Sequence, residues 1–235
     1  MKTQTIFNRF TLATAAVFVA LALATAARAQ VITSDPSLPV VAPNGYYTNA
    51  NADVRYNGPG FTILLTNVGH TAFAPVNRTT NGPNEIETFN SHLDASGVSA
   101  PFGPIFLTAD GLVTTEVFGK IGNVTGTFQT EMLAMNLSGI SPFGSFMIRE
   151  SPTLASTGQT TITALGGGNF QIDSFFDVFT ELSLDGGQTW IPDSNGPGHM
   201  TLVGGAVPEP SVCALAGLAA GLLALRRSRW FGKQR

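Results

Sequence analysis

Asn169-Phe170-Gln171-Ile172-Asp173-Ser174-Phe175-Phe176-Asp177-Val178-Phe179-Thr180-Glu181-Leu182-Ser183-Leu184 is the stretch that decides the fold class. Phe176, Val178, Thr180, Leu182 and Leu184 fall on one face of an extended chain. Phe175, Asp177, Phe179, Glu181 and Ser183 fall on the other. A period of two is the mark of a strand with one face buried. Asp173, Asp177, Glu181 and Asp185 recur every four residues and would line one face of a helix, but the apolar residues do not follow that period. As a strand, the segment puts Asp173, Asp177 and Glu181 beside Phe175 and Phe179. That face could hold Ca²⁺ with help from loop carbonyls, although a solvated acidic face accounts for it more simply.

The surrounding sequence reads the same way. Phe61 to Asn67, Glu85 to Asn90, Gly126 to Leu137, Phe146 to Glu150, Thr160 to Leu165 and Met200 to Val203 have strand composition and are separated by Gly, Pro and Asn. Ile105 to Thr108 and Leu112 to Phe118 flank Ala109-Asp110-Gly111, and Asp-Gly predicts a hairpin there. Pro101-Phe102-Gly103 and Pro142-Phe143-Gly144 each precede a predicted strand, a weak internal echo. Residues 30–59 read as a loose lead-in with one edge strand. No segment between the two ends has an apolar period of helical length. The expectation is an all-β body over residues 30–206, a single β-sandwich or jelly roll.

Within that body four basic residues, Arg55, Arg78, Lys120 and Arg149, face fourteen acids, a formal charge of −10. Such a surface repels nucleic acid and anionic head groups. The body has no Cys, which excludes a disulfide framework or a thiolate metal site. His70, His92 and His199 lie far apart and lack metal-ligand spacing. No nucleophile elbow, phosphate loop or zinc-protease motif is present. No catalytic residue, metal or cofactor is expected.

The sharpest internal motif is Ser183-Leu184-Asp185-Gly186-Gly187-Gln188-Thr189-Trp190. It resembles the Asp-box of sialidases and other β-propellers, Ser-x-Asp-x-Gly-x-Thr-Trp. Ser183, Asp185, Gly187, Thr189 and Trp190 occupy the motif positions, and the resemblance implies a structural turn rather than a catalytic one. A single copy, in a body too short for six blades, argues against a propeller.

Both ends read as address signals. Lys2 and Arg9, an apolar run from Leu12 to Ala24, and Ala27-Arg28-Ala29 make a secretory signal peptide over residues 1–29. Ala27 and Ala29 supply the small residues that signal peptidase reads, and cleavage is expected after Ala29. At the other end, Val207-Pro208-Glu209-Pro210 precedes an apolar run from Val212 to Leu225, and Arg226-Arg227-Ser228-Arg229 follows. As a helix the run spans about 21 Å against a hydrocarbon core of about 30 Å, so it is a short transmembrane helix. The basic cluster, continued by residues 230–235, predicts a cytoplasmic end. Pro208 and Pro210 stiffen the backbone on either side of Glu209.

In Val207, Pro208, Glu209, Pro210, Arg226 and Arg227 the segment 207–229 resembles the PEP-CTERM sorting signal of Gram-negative bacteria. This signal is also called the ice-binding protein C-terminal domain, a label that says nothing of ice binding here. The resemblance implies an exosortase-like membrane protease as partner, transient residence in the inner membrane, and delivery to the cell surface or extracellular matrix. The expected function is that of an exported, non-enzymatic envelope or matrix protein. The alternative is a carbohydrate-binding module acting on exopolysaccharide, against which the scarcity of Tyr and Trp counts mildly.

Overall fold

The computed structural model describes residues 30–49 and 54–205. The signal peptide with Ala27 and Ala29, and the sorting segment with Val207, Pro208, Glu209, Pro210, Arg226 and Arg227, lie outside the described residues. No helix among the described residues is long and apolar enough to cross a membrane.

The described chain is all-β, as the alternating patterns predict. Its strands are β1 (Val31–Thr33), β2 (Gly45–Asn49), β3 (Val54–Gly58), β4 (Phe61–Asn81), β5 (Asn84–Ala100), β6 (Gly103–Val117), β7 (Gly126–Ser141), β8 (Gly144–Glu150), β9 (Ser156–Gly166), β10 (Asn169–Val178), β11 (Thr180–Ser183), β12 (Ile191–Pro192) and β13 (Gly198–Gly204). They form one antiparallel sheet.

Four long strands, β4 to β7, pair in sequence order and form a shared wall. Opposite this wall the sheet divides. One half runs β2–β13–β10–β9, with β2 bonded to β4 and β9 bonded to the first half of β7. This closes a ring in which every strand has two neighbours. The other half runs β3, β12, β11, β8. There β3 pairs with β4, β8 pairs with the second half of β7, and a single bridge, Tyr56 to Asp193, completes the circuit. Closure removes the exposed edges that invite further strand pairing.

The decisive stretch is divided between the two halves. Residues 169–178 pair with β9, β13 and β1, while 180–183 pair with β8 and β12. At the crossing, Phe179 N donates to Ser156 Oγ at 3.0 Å and its carbonyl accepts from Ser151 N at 2.8 Å. The side-chain alternation survives, so Phe176, Val178 and Leu182 enter one core with Phe89, Leu107, Val113 and Leu137. A second apolar cluster, Val31, Leu38, Val40, Val117, Phe128, Ile162, Ile172 and Leu202, fills one end of the eight-stranded ring.

Two local expectations are corrected. Asp110-Gly111 is not a hairpin, because β6 runs straight through it with β5 on one side and β7 on the other. The lead-in carries three short strands, not one. The two Pro-Phe-Gly tripeptides do mark hairpins, β5–β6 and β7–β8, and the Phe102 and Phe143 rings lie 5.8 Å apart.

Candidate functional site

The Ser183–Trp190 segment folds as a tight turn after β11. Asp185 Oδ1 accepts from Gln188 N at 3.0 Å, Thr189 N at 2.9 Å and Ser183 Oγ at 2.8 Å, and Oδ2 accepts from Thr189 Oγ1 at 2.6 Å. Gly187 N donates to Ser183 Oγ at 2.9 Å. Gly186 and Gly187 hold φ of 73° and 86°, in the left-handed region where a side chain is strained. Trp190 Nε1 donates to the Gly187 carbonyl at 3.0 Å, and its ring lies 4.0 Å under the Arg149 guanidinium. The motif spends its polar groups on its own loop, which is a structural arrangement.

These donors, led by the Thr189 hydroxyl, pull the Asp185 carboxyl down to about 2. The turn is therefore expected to keep its form as pH falls below the ordinary carboxylate value and to lose it only near pH 2. The Trp190 indole N–H resonance, followed by NMR, should be unchanged at pH 3. A midpoint near pH 4 would show that Asp185 does not organise the turn.

The three carboxylates considered for Ca²⁺ do not converge. Asp173 accepts from Gln171 Nε2, Asp177 lies 2.7 Å from His199 Nδ1, and Glu181 accepts from Arg149 at 2.7 Å. Glu181 also belongs to the other half-sheet. His92 sits on the outer wall between Asp110 at 2.7 Å and Asp94 at 3.2 Å. Among the described residues no three His, Cys, Asp or Glu side chains are placed to hold a metal ion.

The groups that sequence reasoning missed lie inside the ring. A cavity of about 90 Å³ is bounded by apolar side chains, among them Phe89, Met132, Met135 and Phe176, and by a belt of polar ones. Glu87 from β5, Thr115 from β6, Thr130 from β7, Thr160 from β9 and Tyr47 from β2 line it, and Ser174 of β10 stands behind Thr160 and Tyr47. Thr115 Oγ1 donates to Glu87 Oε2 at 3.2 Å, Thr160 and Ser174 hydroxyls meet at 2.7 Å, and Tyr47 Oη donates to Ser174 Oγ at 3.0 Å. Two atoms of this belt, Glu87 Oε1 and Thr130 Oγ1, have no partner among the described residues. Glu87 is 1% exposed and Thr130 2%.

Burial pushes the Glu87 carboxyl well above the usual carboxylate range, and the neighbouring Glu85 pushes it further. His70 also lines the cavity. Burial, helped by His92, lowers its imidazole to about 4, so it is neutral at pH 7. Ser91 Oγ lies 3.1 Å from its Nδ1. One end of the cavity is covered by Leu38 and Pro39 of the strap between β1 and β2. The strap is pinned by Arg78, whose Nε and Nη2 donate to the Leu38 carbonyl at 3.1 and 2.6 Å, with Glu85 3.8 Å from Nε.

The belt had one sequence signal: Glu87 is in phase with Phe89, Leu93 and Ala95, all buried. An acid in the inward phase of a strand is a candidate interior group. No protein-family model, curated protein or solved structure matches the chain.

Proposed function

We propose that this chain is an exported, non-enzymatic envelope or matrix protein, released by signal peptidase at its start and sorted by an exosortase-like protease at its end. The observation that carries this reading is the placement of the two ends of the described body. β1 and β13 both pair with β10, and Val31 and Val203 both pack at Gly45. Entry and exit therefore lie side by side, each tied into the sheet, and flanking segments can be removed there without opening the ring.

The acidic surface supports the same reading, since it keeps an exported domain soluble. The histidine–carboxylate pairs are isolated from one another on the outside of the sheet, which favours a non-enzymatic role. The aromatic rings lend the carbohydrate-binding alternative little support. Among the Tyr and Trp rings of the described residues, Tyr56 is buried, Tyr47 packs edge-on against Phe176 inside the ring, Trp190 is covered on one face by Arg149, and Tyr46 alone is exposed, at 39%. Flat exposed rings are what sugar recognition needs.

The sorting claim rests on the stiff extended presentation of Glu209. Replacing Pro208 and Pro210 together by alanine should block C-terminal processing in the native host, leaving a longer, membrane-retained chain on a blot. Unchanged processing would defeat the claim.

A further inference from the structure

We propose that the belt-lined cavity is a binding site for a small neutral molecule bearing a carbonyl or hydroxyl oxygen on a slender apolar body. The proposal is independent of how the chain is sorted, because it depends only on the interior of the closed sheet.

The cavity is built for a mixed ligand. Most of its lining is hydrocarbon and thioether, which favours an apolar body. A purely apolar filling would leave Glu87 Oε1 and Thr130 Oγ1 unsatisfied at the centre of a closed sheet. Buried polar atoms without partners are rare because each costs stability. The head-group chemistry follows from the bond that Glu87 already makes. With Oε2 accepting from Thr115, Oε1 is the atom left to carry a proton, and the neighbouring Glu85 carboxyl is the acceptor that a ligand oxygen must displace. Oε1 then presents a donor, and Thr130 a hydroxyl that can donate or accept. The complement of that pair is an oxygen acceptor. An anionic head is disfavoured, since Glu85 stands next along the inward face of β5 and the cavity lining is mostly apolar.

Size sets the other limit. An apolar cavity of about 150 Å³ accepts benzene, so the 90 Å³ here calls for something smaller. A short-chain ketone or alcohol meets both demands. The strap residues Leu38 and Pro39, held by Arg78, cover the cavity end beside Val117.

The test uses 2-butanone as the probe and the methyl resonances of Met132, Met135 and Met200 as reporters, in the full-length chain. All three side chains line the cavity. Saturable shifts are expected with a dissociation constant of roughly 1–10 mM, the range open to so small a ligand. Glu87→Gln should keep binding, because its amide still offers a donor. Glu87→Leu should weaken it about tenfold, as expected for a lost buried hydrogen bond. Thr130→Val, which keeps the β-branched shape, should weaken it several-fold and serves if the leucine variant does not fold. Butanoate, the charged comparator, should not bind. The proposal is overturned if the methionine methyls do not respond, which would mean that water alone fills the cavity. It is equally overturned if Thr130→Val binds as the parent does, or if butanoate binds as tightly as 2-butanone.

Discussion

Gly111→Ala is expected to destabilise the protein by about 3 kcal/mol or more, although it adds one methyl group. Gly111 lies on the inward phase of β6, opposite Leu137 of β7. A Cβ at Gly111 would be driven into the carbonyl oxygen of Asn136. Gly139 on β7 stands in the reciprocal position, where a Cβ would collide with the carbonyl oxygen of Thr108. Both obstacles are backbone atoms of the adjoining strand, so no side chain can rotate away. The two strands would have to separate, and each is shared by both closed circuits of the sheet. Tm should fall by roughly 10 °C for a domain of this size.

Gly69→Ala is the control. It also sits in a strand, but its added Cβ would meet only the Asp94 carbonyl, at 3.7 Å, an ordinary contact. That variant should be neutral or slightly stabilising, because alanine restricts the unfolded chain. Equal melting temperatures for the Gly111→Ala and Gly69→Ala variants would show that β6 and β7 do not approach each other this closely.

Glu87→Gln is expected to have the opposite sign, a gain of about 1–2 kcal/mol at pH 8 that vanishes near pH 4. The carboxyl of Glu87 is raised in the folded protein by burial first and by Glu85 second. The folded state therefore holds its proton more tightly than the unfolded chain does. Below the ordinary glutamate value both states are protonated and the residue costs nothing through ionisation. As pH rises above that value, the unfolded chain ionises first, and folding loses stability until the folded group titrates too. Glutamine has no proton to lose and should remove this slope.

His70 contributes the reverse dependence. Lowered to about 4 by burial, it holds its proton less well in the folded state, so its contribution is lost as pH falls from about 6.5 toward 4. The parent should thus weaken in both directions, while the Glu87→Gln variant should weaken only on acidification. Denaturant titrations at pH 4, 6 and 8 separate the two slopes. A Glu87→Gln variant less stable than the parent at pH 8 would mean that a charged Glu87 is compensated, with Arg78 the nearest candidate.

Much of the fold was legible because strands announce themselves locally. The alternation around Phe176, Val178 and Leu182 predicts both a strand and the face it buries, and the structure keeps that face across Phe179. The Pro-Phe-Gly tripeptides each precede a predicted strand, and β6 and β8 start at their glycines. Asp110-Gly111 misleads because a turn dipeptide records only what the backbone tolerates. Here β5 and β7 bond both edges of β6, and the glycine serves close strand approach instead. The three strands of the lead-in were hidden because short segments take their partners from distant parts of the chain. Val31 pairs with Ile172, and Met200 with Asn49.

The interior site divides in the same way. Glu87 stands in the inward phase in the sequence, but nothing local says that Thr115, Thr130, Thr160 and Tyr47 meet it around one cavity. The Asp-box turn was readable because all its hydrogen bonds span at most four residues.

By itself the sequence determined the strand class, the inward and outward faces, the acidic body and the local turns, since each depends on neighbours within a few residues. Only the tertiary structure decided that the stretch from Asn169 to Leu184 would serve two half-sheets, that the sheet would close, and that one carboxyl oxygen and one hydroxyl would lack a hydrogen-bond partner inside it. Those outcomes depend on pairing between strands far apart in sequence, where closure, not propensity, selects each strand's neighbours.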